Sequence, residues 1–316
     1  MDGSTSAFSH RYLAARVHIS TLSMSTRFDC IVVGSGHAGS CAALSAIEAG
    51  CKKVLIVEKA PSEWSGGNGY FTAGAHRTTH DGLEDLLSLV NNVSSELAMN
   101  IDVEPYTTAQ FTEDINRLGG GQADQNLVEA VVNGSREAVG WLKERVGVPF
   151  ILSFHRQAYE VDGRQKFWGG MALSVEDGGK GLIRAHQQAL NNAGVEVWYE
   201  CPAMRISTEG GRVNGIVVKR GKNEMQLQTP AVVLACGGFE ANAEMRSRYL
   251  GSNWARARAS HFLIDLYLSC SFSNTIRSAG RLTTLEMDSA WLRTSAHKWS
   301  ATGQVATVLH GMPMPQ

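Results

Sequence analysis

The stretch Cys30-Ile-Val-Val-Gly34-Ser-Gly36-His-Ala-Gly39-Ser-Cys-Ala-Ala-Leu44 decides the fold. Its first four residues are apolar and mainly β-branched and run into a glycine, the pattern of a short buried strand. A helix is predicted from about His37 to Ala49, and Val54-Leu-Ile-Val57 forms a second strand. A strand, a glycine turn, a helix and a strand open a doubly wound parallel sheet. In the turn, Gly34 permits the tight bend, Gly36 lets backbone approach a pyrophosphate, and Gly39 lets helix and strand pack closely. The helix start presents N–H groups and a partial positive charge to phosphates. Glu58, closing the second strand, is placed to accept hydrogen bonds from ribose hydroxyls and to repel the extra phosphate of NADP. The context predicts a dinucleotide site.

Two features further along separate FAD from NAD. Ala231-Val-Val-Leu-Ala-Cys-Gly-Gly-Phe239 is an apolar strand ending in glycines, as expected of a late strand that returns beside the first one. Just before it, Val195 to Tyr199, Arg212 to Lys219 and Glu224 to Leu227 alternate around Gly210-Gly211 and Gly221-Lys-Asn223, which suggests a small β-meander. Together these favour FAD. The patches Ser65-Gly-Gly-Asn68 and Thr72-Ala-Gly-Ala75 would let a flat ring system lie against backbone. Between Pro61 and Asn191 the pattern is mainly helical, with segments at Leu83–Val90, Thr107–Leu118, Asn126–Val132, Ser135–Val146 and Lys180–Asn191. His76 and His80 sit in a polar loop, where isolated histidines are usually structural. His76 and Arg77 are expected to face open solvent.

The composition narrows the class. With 29 basic and 30 acidic residues among 316, the net charge of −1 lacks the basic excess that a nucleic-acid partner requires. No apolar run reaches the ~18 residues of a membrane span. The 6 cysteines form no C-x-x-C pair, which fits free thiols in a reducing compartment and hence a cytoplasmic location. Residues 1–26 are Ser- and Arg-rich and nearly acid-free, in keeping with either a disordered extension or a mitochondrial transit peptide. The expected organisation is therefore this extension, an α/β, Rossmann-like FAD-binding domain at 27–259 with a helical insertion at about 78–190, and a poorly ordered, aberrant tail at 260–316.

The turn motif, Glu58-Lys59, the two small-residue patches, Phe167-Trp-Gly-Gly170 and Leu234-Ala-Cys-Gly-Gly-Phe-Glu-Ala-Asn242 resemble the flavoprotein family of fumarate reductase and succinate dehydrogenase, nearest its tricarballylate dehydrogenase-like branch. The resemblance covers about Arg27 to Trp254. It implies an FAD-dependent oxidoreductase acting on a C–C bond next to a carboxylate or carbonyl of a small carboxylic acid or ketone. By position, Gly34, Gly36, Ala38 and Gly39 would hold the pyrophosphate and Glu58 the adenosine ribose, with Ser35, His37 and Lys59 also among the cofactor-binding residues. Ser65, Gly66, Gly67, Asn68, Gly74 and Ala75 would line the flavin. Backbone at Ala203 would meet the adenine, and Ala235 and Gly237 would complete the cradle.

Two departures qualify the resemblance. Covalent members carry a histidine just before the first patch, where this chain has Glu63-Trp64, so the implied FAD is non-covalent. The family's capping domain and C-terminal return segment have no counterpart after Trp254, so catalytic residues are unassigned and the chain is expected to be weakly active or inactive. One permitted back-translation of Arg281 to Gln316, read one frame over, contains a G-D-G helix start and then H-W-S-G-C-H, as the family places next. That suggests a frameshifted or mis-spliced gene model. The competing expectations are a ketosteroid-type flavin dehydrogenase and a non-catalytic nucleotide-binding remnant.

Overall fold

The structure is a computed structural model that describes residues 27–239, 242–256 and, for backbone alone, 307–310. In chain order, β1 (Cys30–Val33), α1 (His37–Glu48) and β2 (Val54–Val57) form the opening unit, and α2 (Gly67–Phe71) follows it. Next come α3 (Leu83–Leu87), α4 (Ser95–Ala98), β3 (Ile101–Val103), α5 (Thr108–Leu118) and α6 (Gln125–Trp141). Then follow β4 (Phe150–Leu152), α7 (Phe154–Gln157), β5 (Ala158–Val161), β6 (Arg164–Phe167), β7 (Leu173–Val175) and α8 (Gly178–Asn192). The remaining elements are β8 (Glu196–Trp198), β9 (Ala203–Glu209), β10 (Arg212–Arg220), β11 (Asn223–Gln228), β12 (Ala231–Leu234), α9 (Ala243–Leu250) and β13 (Thr307–His310).

The principal sheet has the order β13-β12-β1-β2-β8, parallel except for β13, which runs antiparallel to β12. Because successive side chains of a strand point to opposite faces, the apolar run of β1 feeds two cores. Cys30 and Val32 pack with Ile56, Val233 and the helical side, including Ala42 of α1 and Leu182 of α8. Ile31 and Val33 pack with Leu55, Val232 and the meander residues Ile216, Val218 and Leu227. Both faces are covered, which is why β1, β2 and β12 are continuous hydrophobic runs without polar alternation.

The late strand does return beside the first: β12 lies parallel to β1, with Ile31 opposite Val232. The meander differs from expectation in its membership. Val195 to Tyr199 supplies β8, which joins the main sheet beside β2, and the third meander strand is β9, antiparallel to β10. Gly194, with φ +69°, turns the chain out of α8 and into the sheet, so β8 forms as an αβ return and not as a hairpin partner. The region between Pro61 and Asn191 is also less helical than its periodicity suggests, since it carries β3 to β7 in two small sheets. Conversely, the segments expected at Asn126–Val132 and Ser135–Val146 are continuous: α6 runs through Gly134 into a short π-helical turn at Leu142–Val146. Ser135 is buried there, donating to the carbonyl of Val132 and accepting from the amide of Thr79, and this packing outweighs the roughly 1 kcal/mol cost of a mid-helix glycine. The expectations for 1–26 and for most of 260–316 lie outside the described residues; β13 is a strand in that tail that the sequence pattern did not suggest.

Truncating Ile31, which is fully buried between sheet and meander, is expected to cost about 2–5 kcal/mol in Ile31→Ala. Urea unfolding checks this. A second prediction concerns His80, which is buried and whose backbone exchanges hydrogen bonds with Tyr106. Burial holds its imidazole below the ordinary value of 6.5. The unfolded chain therefore takes up the proton first, so this contribution to stability is complete above pH 6.5 and is lost as pH falls below it. His80→Asn should flatten the fall in unfolding free energy between pH 7 and 5 by up to about 1.4 kcal/mol per pH unit. Equal slopes in the two proteins would refute this.

Candidate functional site

Two of the three glycines of the first turn are required by the backbone itself. Gly34 has φ +104°, and a Cβ built there would lie 2.5 Å from the Ala235 carbonyl oxygen. A Cβ at Gly39 would lie 1.9 Å from the Gly34 oxygen. The protein's own backbone therefore demands glycine at both positions. Gly36 is different: its φ of −69° is open to any residue, and among the described residues its Cβ would meet only the Gly66 carbonyl group, the oxygen at an ordinary 3.5 Å and the carbon at 3.9 Å. Gly36 also caps α1 without a side-chain hydrogen bond, and no acidic residue sits in the first helical turn. An uncapped helix start behind an unfilled glycine suits a phosphate ligand.

Around this turn the other sequence-predicted residues converge. Gly34 N donates to the Val57 carbonyl and Ala235 N to the Val33 carbonyl, so β2 and β12 flank the turn. Glu58 is buried; its Oε2 accepts from Ser35 N at 2.8 Å and Ser35 Oγ at 2.7 Å, and its Oε1 accepts from Ala60 N at 2.8 Å. Cys201 N donates to the Glu58 carbonyl, which brings the buried Ala203 to the same end of the sheet. Ser65 and Gly66 are buried, Gly67 lies with its would-be Cβ 4.0 Å from the Gly36 Cα, and Asn68 is exposed. Gly74 is buried against Gly178, Ala75 and Lys59 are half-buried, and Gly237 is exposed after β12. Ala38 is buried in the first turn of α1.

Sequence reasoning missed the part played by α8. Its N-terminus butts onto the small-residue loop: Gly179 N donates to the Thr72 carbonyl at 2.8 Å, and a Cβ at Gly179 would lie 2.3 Å from the Gly69 oxygen. The Gly178-Gly179 pair was the available signal, legible only as a break. Beside this junction Glu63, Trp64, Tyr70, Phe71, Thr72, Asp177, Gly179 and Lys180 line a cleft of about 590 Å³.

The expectation that His76 and Arg77 face open solvent is corrected. His76 is half-buried, its ring edge-on to His37 and Phe150, and its Nδ1 lies 2.9 Å from the Gly74 carbonyl. Burial lowers its affinity for a proton. Arg77 donates to Tyr106 Oη at 2.7 Å and to Asp114 at 2.8 Å. These contacts dock α5 onto the loop, so tertiary packing claims both side chains. His37, too, is turned inward: its ring is buried against His186 of α8, with His37 Nδ1 and His186 Nε2 2.6 Å apart.

With this geometry in view, the comparisons with known proteins agree. The family model described as FAD binding domain matches residues 29–262, and the chain belongs to that family. FAD is the cofactor the family binds. Curated relatives include the NADH:fumarate oxidoreductase of Klebsiella pneumoniae (strain 342), 26% identical over 223 residues that make up 70% of this chain and 22% of that protein. Another is the 3-oxosteroid 1-dehydrogenase of Comamonas testosteroni, 28% identical over 280 residues, 71% of this chain and 48% of that one. Among solved structures, the open conformation of a flavocytochrome c3 fumarate reductase aligns with a TM-score of 0.53 at 26% identity, over 71% of this chain and 36% of that chain. The chain thus spans less than half the length of these relatives. Among the described residues no helix is long and apolar enough to cross a membrane.

Glu58→Ala tests the turn without any ligand. It leaves the Ser35 and Ala60 amides without their acceptor in a buried setting, and should destabilise the ligand-free protein by about 1–3 kcal/mol. Denaturant unfolding in the absence of flavin measures it; an unchanged midpoint would show that Glu58 does not hold the turn.

Proposed function

We propose that this chain is the FAD-binding portion of an oxidoreductase that acts on a C–C bond next to a carboxylate or carbonyl, with a small carboxylic acid as substrate. The single observation that carries the reading is Gly36. The fold itself accounts for Gly34 and Gly39, whereas nothing among the described residues requires glycine at 36. A ligand that must touch backbone there does.

In this reading the uncapped start of α1, from Gly34 through Gly39, holds the pyrophosphate. Glu58 and Lys59 face the ribose; the two amides and one hydroxyl that Glu58 already accepts from leave carboxylate lone pairs for ribose hydroxyls. Ser65, Gly66, Gly67, Asn68, Gly74 and Ala75 line the ring system, Ala203 meets the adenine, and Ala235 and Gly237 complete the cradle. When bound, FAD supplies two-electron exchange with the substrate. The flavin is non-covalent, because Glu63-Trp64 stands where an attachment histidine would. Among the described residues no cysteine is joined in a disulfide, which supports a reducing compartment, cytoplasmic or mitochondrial. The 3-oxosteroid 1-dehydrogenase relative favours a second reading in which the substrate is a ketone.

Gly36→Val should fold like the wild type yet lose bound flavin by an order of magnitude or more, read from the visible absorbance of purified protein. Gly39→Val should not fold at all. Equal flavin in Gly36→Val and wild type would sink the assignment. Acid precipitation should leave the yellow colour in the supernatant. Reduction of the bound flavin by a panel of tricarboxylic acids, dicarboxylic acids and ketones decides between the two substrates.

A further inference from the structure

Behind the dinucleotide turn lies a cluster of three side chains, of which the flavin reading names only His37. His37 and Cys41 are four residues apart on one face of α1, and His186 projects from α8 against them. All three are buried, at 3%, 0% and 1% exposure, and one ligand atom from each falls within 4.8 Å of the others. The hydrogen bond between the two rings accounts for one nitrogen of each, while His37 Nε2 and His186 Nδ1 have no hydrogen-bond partner. A cation bound between the paired nitrogens would replace that one hydrogen bond, each ring then carrying its proton on the nitrogen that faces away.

We propose that His37, Cys41 and His186 form a three-coordinate site for a soft monovalent cation, Cu(I). Two imidazoles and a thiolate are a soft donor set. With metal–ligand bonds of about 2.0–2.3 Å, trigonal coordination sets ligand atoms about 3.6 Å apart. The ring nitrogens, now 2.6 Å apart, would separate by about 1 Å, and the widest separation in the set, up to 4.8 Å, would close by about as much. Charge selects the ion. The set brings one negative charge, the Cys41 thiolate, so Cu(I) gives a neutral unit, whereas Zn(II) leaves a net positive charge in an apolar core. Binding displaces the Cys41 proton to solvent, one per ion. Burial keeps this thiol protonated and inert until then. Because His37 belongs to the dinucleotide turn and His186 to the helix under the small-residue loop, the ion would pin α1 to α8.

The test is anaerobic transfer of Cu(I) from a chromophoric chelator to the purified full chain, with X-ray absorption on the loaded protein. One tightly held equivalent, two nitrogen and one sulfur scatterers, and a rise in thermal midpoint on loading are expected. Cys41→Ser and His186→Gln should each weaken binding at least 100-fold, and Cys236→Ser, an exposed thiol elsewhere, should leave it unchanged. Should either cluster variant fail to fold, the wild-type coordination spectrum decides. Retained binding in folded Cys41→Ser, coordination other than one sulfur with two nitrogens, or tighter binding of Zn(II) than of Cu(I) would overturn the proposal. Flavin content is measured separately, so failure here leaves the flavin reading untouched.

Discussion

The architecture depends on how closely helix α1 approaches the turn that precedes it. With a Cβ at Gly39 only 1.9 Å from the Gly34 oxygen, no side chain fits between helix and strand. That contact sets the angle at which α1 leaves β1. It also sets which face of α1 lies on the sheet, and so which residues of β1, β2 and β12 it covers. The second contact of this kind, Gly179 against the Gly69 oxygen, seats α8 on the small-residue loop. Between them the two contacts hold the helical layer to one side of the sheet, leaving the other side to the meander.

Electrostatics acts locally here. Glu58 is a buried carboxylate held by backbone amides from two segments and one hydroxyl, and it ties the end of β2 to the turn after β1. Charge-assisted bonds of this kind are worth more than neutral ones, since the buried carboxylate would otherwise be unsolvated. The histidines follow the opposite logic. Burial keeps His37 and His186 neutral, His186 down to about 3, so they act as packing and donor groups and not as cations. A neutral imidazole pair next to a thiol is chemically versatile in a way that an ion pair is not.

Much was legible in the sequence because its signals are short-range. The strand–turn–helix–strand opening, the return of Ala231–Leu234 beside β1 and the glycine spacing each rest on local backbone rules or on a hydrophobic run that only a doubly covered sheet explains. Gly34 and Gly39 were assigned their structural roles from spacing alone, and the geometry bears out both. What was misread rests on partners distant in the chain. Val195 to Tyr199 has an alternating pattern that suits a hairpin as well as a parallel strand, and only Gly194 and the pairing with β2 decide between them. Ser135 holds α6 together through Thr79, a contact no periodicity reveals.

By itself the sequence determined the strand–turn–helix–strand opening of the fold, since a glycine needed for steric reasons is the same glycine in any context. Tertiary structure alone decided which side chains meet. His37 and His186 are separated by 149 positions, and the pattern of neither segment anticipates the other. They meet because α1 and α8 share one face of the sheet, each held there by a glycine that lets backbone touch backbone.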